Sequence, residues 1–231
     1  MKSTRFLIAA VVVLIAVTSS AYAQSEKRDH RNFTEIGFGV AGDLYVKIGS
    51  EYSVVLEGDS DLLRRVVTEV KGRRLIFKTE NFRWSGNQKL TAYVTMPSVE
   101  GLSLSGSGKI YVESPITGSA LDLAISGSGR LIAGDLNYEK LNCSISGSGS
   151  FNLKGKGKIK TAGISISGSG GYDAPALEIA TLEARISGSG SCDCFVTERL
   201  VASISGSGDI YYSGNPKMDI RSSGSGKVRS R

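Results

Sequence analysis

Apolar and polar residues alternate with period two along most of this chain, and from residue 99 onward the alternation itself recurs. The tetrapeptide Ser-Gly-Ser-Gly begins at residues 105, 126, 146, 167, 187, 205 and 223. Three residues before each first serine stand Leu102, Leu123, Cys143, Ile164, Ala184, Ala202 and Ile220. One residue before it stand Leu104, Ile125, Ile145, Ile166, Ile186, Ile204 and Ser222. Five residues after it come Ile110, Leu131, Phe151, Tyr172, Cys192, Ile210 and Val228; seven after it come Val112, Ala133, Leu153, Ala174, Cys194, Tyr212 and Ser230. Such alternation marks half-buried strands, not helices. A column filled alike in copy after copy is what stacked parallel coils require, because one coil cannot bury its own apolar face. Residues 99–231 are therefore expected to form an all-β parallel β-helix, or β-solenoid, with seven repeats centred on Ser-Gly-Ser-Gly. At the usual strand spacing, six intervals make a stack about 29 Å long.

The glycines leave two geometries open. If each strand runs straight through the motif, both glycines face inward with the isoleucines and both serines face out. If the glycines take left-handed conformations, they bend the coil instead. In either case the serines recur as ladders of hydroxyls. Residues 113–119, 134–140 and 213–217 carry the Gly, Pro and Asn suited to corners, and are too short for helical crossovers. The leucine-rich repeat has a similar spacing, but its LxxLxLxxN pattern is missing.

Before the repeat, Ile36, Phe38 and Val40 alternate, as do Leu44, Val46 and Ile48, then Val54 and Leu56. Residues 61–70 suit either a short helix or a strand, whereas residues 75–77 and 90–96 read as strands, with Pro97 closing the latter. Residues 33–98 are expected as irregular coils that run on into the repeat and shield its first rung from edge pairing.

Residues 1–23 have the form of a secretory signal peptide: Lys2 and Arg5, an apolar run from Phe6 to Val17, then Ala21-Tyr22-Ala23. Residues 24–32 follow as a polar leader holding His30, the chain's single histidine and a solvated tail residue on this reading. Removing Lys2 and Arg5 lowers the formal charge from +6 to +4, a poor basis for binding nucleic acid. No transmembrane segment is expected in the mature chain, and no cysteine follows the cleavage site as a lipid anchor would require.

Export permits disulfides, but three cysteines form no dense framework. Cys192 and Cys194 share the inward columns filled elsewhere by aliphatic residues, and Cys143 occupies another. Small apolar packing is thus expected of them, with no structural metal, required disulfide or cofactor. Lys154, Lys156, Lys158 and Lys160 alternate through one run, so period two would place them on one face. That face suits anionic envelope polymers, or simply solvated corner residues that resist edge pairing. Asp173 and Asp193 fall in one column, with Asp209 one position earlier in the next copy. Calcium takes such oxygen ligands, but solvent-facing charges are the simpler reading, since no glycine-aspartate nonapeptide is present. Tyr93, Tyr111, Tyr211 and Tyr212 are candidates for a sugar site or for edge cover, and Trp84 is the lone tryptophan. No carboxylate pair stands beside an aromatic platform in the sequence, and the ladder serines lack an activating base.

A distinctive series runs through Arg31-Asn32-Phe33-Thr34-Glu35-Ile36, Gly42-Asp43-Leu44-Tyr45-Val46-Lys47-Ile48, Val54-Val55-Leu56-Glu57-Gly58-Asp59 and Met96-Pro97. It ends in the recurrent Ser-Gly-Ser-Gly with its following apolar pair, as in Ser205-Gly206-Ser207-Gly208-Asp209-Ile210. The arrangement resembles the head GIN domain family, whose members are named as auto-transporter adhesins. Spanning roughly residues 31–228, the resemblance implies a secreted bacterial β-helical protein and supplies no catalytic residue. No long alternating segment able to form a membrane barrel follows the repeat, so a complete auto-transporter is not expected.

These features point to a noncatalytic binding or scaffold protein of the bacterial envelope, in the periplasm, at the outer cell surface or extracellular. Its expected partner is an envelope glycan or a surface protein, with Lys154, Lys156, Lys158, Lys160 and Tyr211 as the candidate surface. A β-helical enzyme acting on polysaccharide is the alternative. Ice binding through the serine ladders ranks lower, since serine lacks the methyl that threonine would add.

Overall fold

The structure, a computed structural model, describes residues 24–79 and 90–231; the expected signal segment and Trp84 lie outside them. The chain enters through β1 (Gln24–Arg28) and lays down β2 (Glu35–Phe38) and β3 (Gly42–Ile48) as its first parallel coil. β4 (Ser53–Gly58), helix α1 (Ser60–Arg65) and β5 (Val66–Lys71) precede a further coil made of β6 (Arg74–Thr79) and β7 (Leu90–Met96). The repeats then supply β8 (Gly101–Gly106), β9 (Lys109–Val112), β10 (Ile116–Gly127), β11 (Arg130–Ala133), β12 (Leu136–Gly147) and β13 (Ser150–Leu153). β14 (Gly157–Gly168), β15 (Gly171–Gly188), β16 (Ser191–Gly206), β17 (Asp209–Ser213), β18 (Lys217–Gly224) and β19 (Val228–Ser230) complete them.

The result is a β-solenoid of stacked parallel coils, as the periodic columns require. Ile125 pairs in register with Ile145, Ile145 with Ile166, Ile166 with Ile186 and Ile186 with Ile204. All five are 3% exposed or less and lie in one continuous core with Leu123. Paired exposed residues, such as Glu139 and Lys140 in β12, mark where the long strands turn a corner. Each regular coil therefore has three faces. Face A carries the residues up to the first Ser-Gly, face B the short strands after the motif, and face C the first halves of β10, β12 and β14. Residues 116–119 and 136–140, expected as corners, are thus mostly strand, and the corners shrink to residues 113–115 and 134–135.

The two glycines of each motif take different roles. Gly147, the first of its motif, has φ +118°, which turns the chain from face A to face B. Gly149, the second, points inward: a Cβ there would lie 2.5 Å from Ile125 Cγ2 and 2.7 Å from the Gly129 oxygen of the coil below. The stacked turns share backbone bonds, for Ser148 and Gly149 both donate N–H to the Gly127 carbonyl at 2.9 Å. Each serine of the motif stays outside, and Ser207 and Ser225 approach within 3.1 Å across two coils.

The N-terminal coils do not stack in chain order. β2 pairs with β8 on one edge and β6 on the other, while β3 lies between β9 and β7. The first coil is thus sandwiched, and the β6–β7 coil lies outside it. Antiparallel strands finish this end: β5 pairs with β6, β4 with β7, and β1 with β4. Residues 61–70 divide between helix and strand. Asp61 in the first turn and Arg64 and Arg65 in the last suit the helix dipole, while Leu62 and Leu63 are buried. The Arg28 guanidinium donates to the carbonyls of Leu63 (3.0 Å) and Val66 (3.4 Å), satisfying acceptors at the helix end. The polar leader expected over residues 24–32 is corrected accordingly: β1 is a paired strand. His30 is no free tail residue either, because its Nε2 lies 2.8 Å from Thr68 Oγ1.

Cys143, Cys192 and Cys194 occupy their inward columns as buried, free thiols. Burial pushes the Cys143 thiol up, and a hydrogen bond to Cys194 together with burial does so for Cys192, so both are held as neutral apolar packing groups. Two buried tyrosines contrast with each other. Tyr138 donates its hydroxyl to the Val99 carbonyl at 2.7 Å, whereas the Tyr172 hydroxyl has no partner although the residue is 1% exposed. A buried unpaired hydroxyl costs on the order of 1–2 kcal/mol, so Tyr172→Phe should raise stability by about that amount. Urea melts would register a higher midpoint at unchanged slope; Tyr138→Phe should move the midpoint the other way.

Candidate functional site

Face A holds a long shallow trough because its outward columns run through very small side chains. One column reads Ile76, Gly37, Ser103, Ala124, Ser144, Ser165 and Arg185 across seven coils, as the strand registers align them. The neighbouring column carries Ser105, Ser126, Ser146 and Ser167. Five small residues between Ile76 and Arg185 leave the sheet bare over about 24–29 Å at the usual coil spacing. The depression encloses about 620 Å³, with the buried side chains of Phe38, Phe77, Leu104, Ile125 and Ile145 lying directly beneath its floor. Its charged ends are internally compensated. Arg74 pairs with Glu35 at 2.7 Å, Lys78 with Glu69 at 2.9 Å, and Arg185 with Glu183. The trough is therefore a neutral surface, apolar between rows of hydroxyls.

The opposite flank, face B, carries a tyrosine stack. Tyr45 lies between Tyr93 (centroids 5.3 Å apart, 18° between planes) and Tyr111 (4.9 Å, 9°). Desolvation and the nearby Asp43 raise the Tyr45 phenol, and desolvation with Glu57 does so for Tyr93, so both remain protonated donors. Both faces of the Tyr45 ring are covered by its neighbours, while Tyr93, at one end of the stack, is 41% exposed. The sequence named Tyr93 and Tyr111 but not Tyr45, whose place between them is fixed by the swapped order of the first coils.

Tyr211 lies in the same column but far along the stack, beyond Ile132, Asn152, Asp173 and Asp193. The Arg231 guanidinium stands 5.6 Å from the Tyr211 ring centre and 2.5 Å from Asp193 Oδ2. Asp193 is 13% exposed, and its carboxyl is raised by desolvation, lowered by Arg231 and raised again by Asp173 beneath it. Here the chain's own cation sits against the stacked acids. Asp209 belongs to the adjoining column, where it accepts the Lys227 N–H at 2.9 Å. Among the described residues no group of three or more His, Cys, Asp or Glu side chains is placed to hold a metal.

The lysine run does not form a single strand face. β14 starts only at Gly157, so Lys158 and Lys160 point outward from face C, while Lys154 and Lys156 occupy the corner before it. Lys158 stands 3.8 Å from Glu178, and Lys160 follows the exposed column of Glu139. The run and Tyr211 are thus separated from the trough and from each other. Sequence reasoning missed the trough, although its signal was present in the small residues two places before the first four motifs, Ser103, Ala124, Ser144 and Ser165.

No helix among the described residues is long and apolar enough to cross a membrane. Solved structures that share the fold include the following three. A Bacteroides fragilis protein described as a "putative adhesin" is 24% identical, covering 92% of this chain and 98% of its own, with TM-score 0.86. A "putative adhesin" of Parabacteroides merdae is 23% identical over 92% and 97%, with TM-score 0.74. A protein of Parabacteroides distasonis described as a "putative lipid binding protein" is 22% identical over 92% and 98%, with TM-score 0.75. No curated protein matches. The family model described as "Putative auto-transporter adhesin, head GIN domain" matches residues 32–216, from the first coil through β17. The chain belongs to the head GIN domain family.

Proposed function

We propose that this is an exported, noncatalytic binding protein of the bacterial envelope that holds an extended neutral polymer along face A. The observation that carries the reading is the trough: small, serine-lined and charge-compensated over several coils. A flat floor without large side chains lets a glycan strand or extended surface polypeptide approach the sheet closely. Hydroxyls then offer donors and acceptors at regular intervals along the floor. The family's adhesin description and the signal-like N-terminus support placement in the periplasm, at the outer surface or outside the cell. Lys154, Lys156, Lys158 and Lys160, with Tyr211 farther along, serve as secondary contacts that attract anionic partners over longer range.

Purified protein titrated with fragments of envelope glycans and with extended surface polypeptides tests this reading. Ser144→Trp, which fills the trough, should weaken the bound polymer at least about tenfold, whereas a single Ser→Ala change should alter affinity little. Charge reversal at Lys154, Lys156 and Lys158 should matter only at low salt. Release of new sugar ends, abolished by one carboxylate substitution, would replace this reading with the polysaccharide-active enzyme.

A further inference from the structure

The two ends of the solenoid are finished differently. At the N-terminal end, α1 and three antiparallel pairings close the core. At the other end, β18 pairs only with β16 and β19 only with β17, so each keeps one edge of backbone donors and acceptors open. The composition of this coil also changes. Ser222 and Ser230 replace the apolar residues of two inward columns, while Met218 is 51% and Ile220 43% exposed over the end of the core.

Charge sets the coil apart more sharply. Residues 217–231 contain Lys217, Arg221, Lys227, Arg229 and Arg231 against Asp219 alone, a net +4. Residues 24–216 contain equal numbers of cationic and anionic side chains, so the whole formal excess beyond residue 23 resides here. Only Arg231 of the five makes an ion pair with a described residue, and it does so backward, to Asp193. Lys217, Arg221, Lys227 and Arg229 are exposed.

We propose that β18 is a docking edge for an acidic, alternately apolar β-strand of a partner protein, which adds as the next coil. Three features converge on that occupant. Unpaired backbone groups call for an extended strand. Met218 and Ile220, two residues apart on the inward side, call for apolar residues at alternate positions. Lys217 and Arg221, which flank them on the outward side, call for carboxylates at the intervening positions. A second copy of this coil would bring like charges together. An anionic lipid surface would answer the charge but leave the row of backbone groups unpaired. This site is independent of the trough, so either can fail alone.

The test uses the purified protein and a short blocked fluorescent peptide alternating glutamate with valine, compared with its lysine counterpart. The glutamate peptide should bind at least tenfold tighter. The double variant Lys217→Glu, Arg221→Glu should reverse that preference, and its far-ultraviolet circular dichroism should be unchanged. Amide exchange should slow across β18 when the glutamate peptide is present and stay constant on face C. Equal binding of both peptides, absence of binding, or protection away from β18 would overturn the proposal. Self-association of the protein alone would do so too, as would displacement of the peptide by phosphatidylglycerol vesicles.

Discussion

Ile166→Asp should be the most damaging single substitution in the regular coils, costing about 4 kcal/mol or more. The side chain is 1% exposed and lies in the isoleucine column between Ile145 and Ile186. Its immediate surroundings offer no cation: the core contains no buried charged residue among those described. A carboxylate there must either take up a proton or admit water between coils, and both separate the neighbouring rungs. Urea denaturation should show a much lower midpoint, and hydrogen exchange should show β14 and β15 losing protection first. Ser167→Ala, one position along but facing out, should stay within about 0.5 kcal/mol of the parent. A mild effect of Ile166→Asp would mean that the column is not a continuous core.

Gly147→Ala should cost about 3 kcal/mol, although it adds a single methyl group. Two penalties act together. The backbone sits at φ +118°, where a side chain is strained, and the new Cβ would lie 2.5 Å from the Gly127 carbonyl oxygen. That oxygen accepts both Ser148 N–H and Gly149 N–H, so pushing it aside also damages the stacked turn. The comparison with Gly134→Ala is informative, because a Cβ at Gly134 meets nothing within 4 Å. Thermal melts of the two variants should separate clearly. Equal melting would show that the Ser-Gly turns tolerate crowding.

The repeat was legible because its columns keep one register from coil to coil. The shortening from 20-residue to 18-residue intervals did not obscure it, since β16 skips residues at the corner opposite Ala174–Glu178 and recovers register before Ala202. Alternation tells which side of a strand faces the core; it does not tell which coil lies beside which. Hence the alternation of Ile36 and Phe38 and the strand at residues 75–77 are readable, and Ile36, Phe38, Leu75 and Phe77 are buried, while the swapped order of their coils leaves no trace in the pattern. β1 left no apolar trace because it pairs through its backbone and through Arg28, whose partners are 35 and 38 residues away. The lysine run misled for a related reason. Period two holds only within a strand, and Lys154 and Lys156 precede the start of β14.

The sandwiched first coil has a consequence for how the chain assembles. Beyond β8, almost every pairing joins a strand to one formed about twenty residues earlier, so the body can grow by successive addition, like a zipper closing from one end. β2 and β3 are exceptions, since each must acquire two neighbours, one on either edge, drawn from segments up to 66 residues downstream. That step requires the longest loop closures of the N-terminal half and sets the platform on which later coils are laid. Slow nucleation followed by rapid, directional growth is the expected folding behaviour. Each partly grown body would present a naked strand edge until the next stretch of chain arrives.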